Sequence, residues 1–227
     1  MPFFDHQLQR DPAFAALTKR TQAETLARLQ GATGTHGMLL DAVGGFVLQT
    51  PGLGRWMTLQ PEVRGGFVGP LRAKADALPF CDNSFGAVVL RHLAGADFRP
   101  DALAREAARV LAPHGVLVVI ECHPCSAWRW STRGARNGDA LRASLPRRWK
   151  KALLQAGLSV GELTRCGAAW PVAHATPRWL ERIAGGAWVL QARKRHDATL
   201  AQRMSARRAH AVPEQTSWIP GAHRSRP

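Results

Sequence analysis

The residues from Ala73 to Glu121, AKADALPFCDNSFGAVVLRHLAGADFRPDALAREAARVLAPHGVLVVIE, constrain the fold more than any other part of the chain. Ala87-Val88-Val89-Leu90 is apolar at every position, so it reads as a strand buried on both faces, the pattern of a parallel sheet. A turn rich in Asp82, Asn83 and Ser84 leads into it, and Ala75 to Phe80 before that turn form an alternating, turn-bounded segment. Beyond the strand, Pro100 and Asp101 open an amphipathic helix. Its Leu103, Ala107, Val110 and Leu111 recur at three- and four-residue steps, while Arg105, Glu106 and Arg109 face water. Pro113, His114 and Gly115 stop that helix. Val116 to Ile120 then form a second continuously apolar strand that ends in a carboxylate, Glu121. A buried strand, a crossover helix and a second buried strand make one right-handed unit of a parallel sheet, and the fold class is α/β.

Two phrases within this stretch, AKADALPFCDNSFGAVVL and REAARVLAPHGVLVVIE, resemble the second half of a class I S-adenosylmethionine-dependent methyltransferase domain. The branch is the one that includes quinone and other small-molecule methyltransferases. The likeness rests on an Ala-Asp-Ala-x-x-Leu-Pro-Phe segment, an Asx-Ser-Phe turn and an Arg-Val-Leu-x-Pro-x-Gly lead into a strand. It implies a Rossmann-like, seven-stranded and mostly parallel sheet flanked by helices, with an antiparallel last strand. It also implies S-adenosyl-L-methionine as methyl donor and a small molecule as acceptor.

The resemblance assigns roles to particular residues. Met38-Leu39-Leu40 reads as a first strand, running into Asp41 and the adjacent Gly44 and Gly45, where the family has an acid and a glycine loop beside the methionine part of the donor. Val43 stands where the first glycine of that loop is expected, and Phe46 and Val47 follow in place of a third. Arg55 to Leu59 reads as the second strand, with Glu62, or more weakly Gln60, beyond its end to accept from the ribose hydroxyls. Asp76 is expected beside the adenine, its carboxylate accepting from the exocyclic amine, with the Ala77 amide at a ring nitrogen. Arg91 and His92 follow the Ala87–Leu90 strand at its carboxyl end, where open α/β sheets bind ligands. Arg91 is grouped with the donor-binding residues, and His92 is the candidate to orient or deprotonate an acceptor. His123, Trp128 and Trp130 fall in the loop expected to roof the acceptor site. Gly86 replaces the aspartate usual before Ala-Val-Val.

The flanking segments complete the expected sheet. Asp11 and Pro12 begin a helix that runs to Gly31, with Phe14, Leu17, Leu26 and Leu29 on its apolar face and Glu24 and Arg28 paired on its wet side. Pro61 to Arg72 is too short and glycine-rich for a crossover helix and reads as a loop. Pro146 opens a helix with Trp149, Leu153 and Leu154 inward, and Leu158 to Arg165 is a strand. Pro177 to Ala184 is a short helix with Trp179, Leu180 and Ile183 facing in, and Ala187 to Arg193 is the last strand. The expected organisation is a helical cover over 1–35, a methyltransferase-like domain over 36–195 and a basic, largely disordered tail over 196–227.

The formal net charge is +15. Arginines crowd the region after Glu121 and the tail, which is either an arginine-rich solvated surface or a face for RNA or an anionic surface. A non-catalytic domain of the same fold, binding a partner or RNA through this surface, is therefore the alternative to an enzyme. A nicotinamide dehydrogenase is disfavoured because no GxGxxG follows the first strand. No apolar run is long enough to span a bilayer and the first residues lack a signal-peptide core, so a cytoplasmic location is expected. Cys122 and Cys125 have CxxC spacing without a second pair, and no metal site is expected.

Overall fold

The computed structural model describes residues 10–62, 65–96, 98–128, 143–174 and 176–195. Its elements are α1 (Pro12–Leu29), β1 (Gly34–Asp41), β2 (Leu53–Glu62), β3 (Gly66–Val68), β4 (Arg72–Lys74), β5 (Phe85–Arg91), a 3-10 turn (Leu93–Ala96), α2 (Pro100–Val110), β6 (Leu111–Cys122), α3 (Pro146–Gln155), β7 (Leu158–Cys166), α4 (Arg178–Ala184) and β8 (Ala187–Lys194). The strands form one sheet in the order β4-β3-β2-β1-β5-β6-β8-β7. β2, β1, β5 and β6 are parallel, and β8 runs antiparallel to both β6 and β7. The α/β class, the parallel centre and the antiparallel terminal strand are as expected from the sequence.

The sheet has eight strands among the described residues, one more than the seven expected, because Pro61 to Arg72 is not a loop. β3 and β4 fold back as antiparallel strands beyond β2. Phe67 fixes this edge: it is fully buried and stacks on Phe98 at 4.6 Å. Pairing with β3 also prolongs β2 to Glu62, so Gln60 and Glu62 lie within the strand, not past its end. No helix lies between β1 and β2, since residues 42–52 make the parallel connection as a loop. β6 starts at Leu111, ahead of Pro113. The Lys194 ammonium ends α2 there, donating to the carbonyls of Ala108 and Leu111 at 2.7 and 2.8 Å.

The core follows the apolar runs. Every residue of β5 is buried, as is β6 from Gly115 onward. α1 packs on β6, β7 and β8, and α2 and α3 pack together with α2 on β6 and α3 on β7 and β8. The Asp11 carboxylate caps α1 by accepting from the Ala13 amide at 2.8 Å. Gly86 has a steric cause: a Cβ there would lie 2.2 Å from the Thr33 carbonyl oxygen. An aspartate has no room at this crossing of β1 and β5.

Three helix faces differ from the expected ones. Arg28 is buried, because besides Glu24 it donates to the Glu162 carbonyl at 2.9 Å on β7. Leu154 is exposed, and Trp149 and Leu153 form the inward face of α3. On α4 the polarity is inverted: Glu181 is buried, while Trp179, Leu180 and Ile183 face out. The pair of buried Glu181 with the part-exposed Arg20, at 2.6 Å, takes the place of an apolar contact.

Candidate functional site at the carboxyl ends of the parallel strands

β1, β5 and β6 end at the same rim of the sheet with Asp41, Arg91 and Glu121-Cys122, the place where open α/β sheets bind ligands. Asp41 and Arg91 are register partners. The Arg91 guanidinium donates to both Asp41 oxygens at 3.1 and 3.0 Å, to the Gly44 carbonyl at 3.2 Å and to the Thr18 hydroxyl at 3.0 Å. Both side chains are buried, 0% and 1% exposed. The guanidinium carbon sits 4.4 Å from the Phe46 ring centre and 5.9 Å from that of Phe14, within reach of cation–π attraction. Arg91 Nε has no hydrogen-bond partner among the described residues.

The loop after β1 is shaped by this pair. The Val43 amide donates to Asp41 Oδ1 at 3.0 Å, a local Asx turn. Gly44 and Gly45 both take positive φ, 78° and 74°, which is glycine's conformation and turns the chain back over the rim. Val43 and Phe46 are then buried, each 4% exposed. The loop lies down on Arg91 instead of launching a helix whose amide-rich N-terminus could meet an anionic group.

Beside it lies a second buried cluster. His92 adopts φ 53° and is 2% exposed. Its Nδ1 lies 4.0 Å from both Glu121 Oε2 and Cys122 Sγ. Glu121 Oε1 accepts from the Leu93 and Ala94 amides at 3.0 Å each, while Oε2 has no hydrogen-bond partner among the described residues. Burial pushes the Glu121 carboxyl up to about 8 and the Cys122 thiol up to about 12. Burial, and then Arg91, hold His92 well below 6.5. With both groups neutral, the His92–Glu121 approach is a contact, not an ion pair. His92 also packs near the Phe14 ring, with centres 6.2 Å apart. It lies under α1 with no opening to an acceptor, so the expected acid–base position is a core position here.

The remaining candidates are spread along the rim. Asp76 and Ala77 are exposed in a turn closed by the Ala77 amide on the Lys74 carbonyl at 3.3 Å. Glu62 is half-buried and 3.5 Å from Arg72. His123 is half-buried, its Nδ1 accepting from the Cys125 amide at 3.1 Å, and burial and Arg165 lower its pKa. Trp128 is not a roof: it is fully buried, donates to the Ala168 carbonyl at 2.8 Å and meets Phe14 edge-on. Trp130 lies outside the described residues. Thr18, Phe14 and Phe46 complete the Arg91 enclosure and were not among the expected site residues. Nothing in α1 distinguishes Phe14 and Thr18 from an ordinary covering face. Among the described residues, no group of three or more His, Cys, Asp or Glu side chains could hold a metal ion.

Residues 58–119 match the family model described as a methyltransferase domain. That span runs from within β2 to within β6 and includes Glu62, Asp76, Arg91 and His92. The chain has the class I methyltransferase fold. A structure from Bacillus halodurans described as a methyltransferase aligns at TM-score 0.53 with 18% identity, covering 76% of this chain and 98% of its own. A methyltransferase of Haloferax volcanii, solved in complex with a methyltransferase activator, aligns at 0.52 and 17% identity, covering 85% and 96%. An S-adenosylmethionine-dependent methyltransferase of Thermotoga maritima aligns at 0.52 and 12% identity, covering 85% and 99%. None of the curated proteins matches the chain. Against this methyltransferase fold, the loop of residues 42–52 and the β3–β4 hairpin stand where crossover helices would follow β1 and β2. No helix among the described residues is long and apolar enough to cross a membrane.

Proposed function

We propose that the domain uses S-adenosylmethionine to methylate a small acceptor. The supporting observation is the family match over residues 58–119, because that span carries the acidic groups an adenosyl moiety needs. Asp76 offers an exposed carboxylate that accepts from no hydrogen-bond donor among the described residues, and Glu62, half-buried at the end of β2, offers a second. These fit the adenosine half. S-adenosylmethionine supplies a methyl group already activated by its sulfonium, so the protein's own task is to align the partners and keep water out.

The methionine half fits differently. Asp41 is held by Arg91 and the Val43 amide, and Phe46 covers the guanidinium. A donor that reaches Asp41 has to displace Arg91, so affinity for the adenosyl group is expected to come mainly from the Asp76 side. The same pair favours a second reading, a methyltransferase fold kept as a non-catalytic binding domain.

Calorimetric titration of the full chain with S-adenosylhomocysteine separates the two. Saturable binding that Asp76→Ala weakens, with label transfer from methyl-labelled donor into a product of a cell extract, supports the enzyme. Absence of binding by both proteins at millimolar ligand rejects it in favour of the binding domain.

A further inference from the structure

Arg91 is buried with its bonding incomplete. Nη1 serves the Asp41 carboxylate and the Gly44 carbonyl, Nη2 donates to the Thr18 hydroxyl, and Nε donates to no acceptor among the described residues. A buried N–H of a charged group without an acceptor is costly, so an unfilled one at a ligand-binding rim points to an acceptor that arrives. Nε and Nη2 form one edge of the planar guanidinium, the fork that takes both oxygens of a carboxylate. Asp41 is engaged through Nη1, so a carboxylate on the Nε–Nη2 edge leaves that pair in place. The ion pair is already neutral and shielded from solvent, its side chains 0% and 1% exposed. A lone anion would add an uncompensated charge there, whereas a zwitterion adds none.

We infer that this edge of Arg91 receives the α-carboxylate of S-adenosylmethionine, so that Arg91 selects a donor with an intact amino-acid end and Asp41 positions Arg91 for it. The inference rests on the donor reading above. In the strand order β2-β1-β5, Glu62 on β2 and Arg91 on β5 lie on either side of β1. Adenosine held by the acid on β2 therefore directs its amino-acid chain across the end of β1 towards Arg91. The cover over the guanidinium can move: Phe46, its ring centre 4.4 Å from the guanidinium carbon, belongs to the loop of residues 42–52. The Gln22 side chain ties that loop to α1 by donating to the Val47 carbonyl at 2.5 Å, a bond at an exposed position. Residues 44–50 lie in no ladder, so admitting the chain leaves the sheet paired.

Calorimetry of the full chain with three ligands tests it: S-adenosylhomocysteine, its decarboxylated analogue, which keeps the amine, and methylthioadenosine, which has no amino-acid end. The parent binds S-adenosylhomocysteine about tenfold or more tighter than the decarboxylated analogue, as expected of a bidentate, charge-assisted contact. Arg91→Met combined with Asp41→Asn, which removes both buried charges, brings S-adenosylhomocysteine down to the affinity of the analogue and leaves methylthioadenosine binding as in the parent. Arg91→Lys keeps the charge without the fork and retains only part of the preference. Should the double variant fail to fold, Arg91→Lys decides, and an unchanged preference overturns the inference. It is overturned as well if the double variant keeps the preference, or if it binds S-adenosylhomocysteine more tightly, since Arg91 would then only occupy the space of the tail. A parent that binds methylthioadenosine but does not distinguish the other two ligands overturns this inference and leaves the donor reading standing. A parent that binds none of the three rejects both.

Discussion

Asp41 and Arg91 face each other in the register of β1 and β5, and the guanidinium bridges both carboxylate oxygens at 3.0–3.1 Å where neither side chain meets solvent. Such a pair contributes little net stability while intact, because two desolvated charges largely offset their attraction, but losing one partner strands the other. Arg91→Met is expected to cost about 3–5 kcal/mol in urea unfolding. Adding Asp41→Asn, which still accepts from the Val43 amide, is expected to recover most of that. A double variant as unstable as the single one would refute the stranded-charge account.

Glu121 and His92 shift in opposite directions with pH. The folded Glu121 carboxyl keeps its proton to about 8, against an ordinary 4.5, so its contribution falls as pH rises between those values. Folded His92 stays neutral below its ordinary 6.5, so its contribution falls as pH drops below that point. Just below 6.5 the two slopes oppose each other, and from 6.5 to 8 only the glutamate acts. Glu121→Gln, which keeps an acceptor for the Leu93 and Ala94 amides, removes a loss of about 2 kcal/mol over that upper window. Thermal unfolding at pH 6.5 and 8 checks it: parallel losses in parent and variant would count against a neutral buried glutamate.

Arg109 ties the turn beyond Asp76 to α2. It donates to the carbonyls of Leu78 and Phe80 at 2.8 Å each, to Asp82 at 2.7 Å and to Glu106 at 2.9 Å. Its hydrogen bonds hold the Glu106 carboxyl below the ordinary 4.5. Arg109→Ala is expected to cost about 2 kcal/mol in denaturant unfolding. Lysine, without the planar fork, restores only part. The contribution of Glu106 is present above pH 4.5 and lost as the pH falls below it, so the penalty of Arg109→Ala shrinks in acid.

Gly86→Asp, which would recreate the residue usual in the family, is expected to destabilise by about 1–3 kcal/mol, because its Cβ meets the Thr33 carbonyl oxygen at 2.2 Å. A melting temperature equal to that of the parent would contradict the close crossing of β1 and β5.

The fold was legible where one physical demand dominates. The apolar runs Met38–Leu40, Ala87–Leu90 and Val116–Ile120 have no alternative to a doubly covered parallel sheet, and they form one. The misreadings fall where a long-range polar partner outweighs local pattern. Arg20 draws Glu181 inward and thereby turns Trp179 and Ile183 out. β7 takes Arg28 from the wet face of α1. At the rim, the family resemblance pointed to Asp41 and the double glycine, but pairing of Arg91 with Asp41, and its enclosure by Phe14, Thr18 and Phe46, depends on side chains far apart in the chain.

The connection over residues 42–52 lies outside the ladders of the sheet. Residues 44–50 contribute to no regular ladder, so their opening breaks few backbone hydrogen bonds while the central strands stay paired. Amide exchange in residues 44–50 should therefore be faster than in the flanking strands β1 and β2. The lock over Asp41 is hung on a connection outside the sheet's ladders, and uncovering it does not require the sheet to come apart.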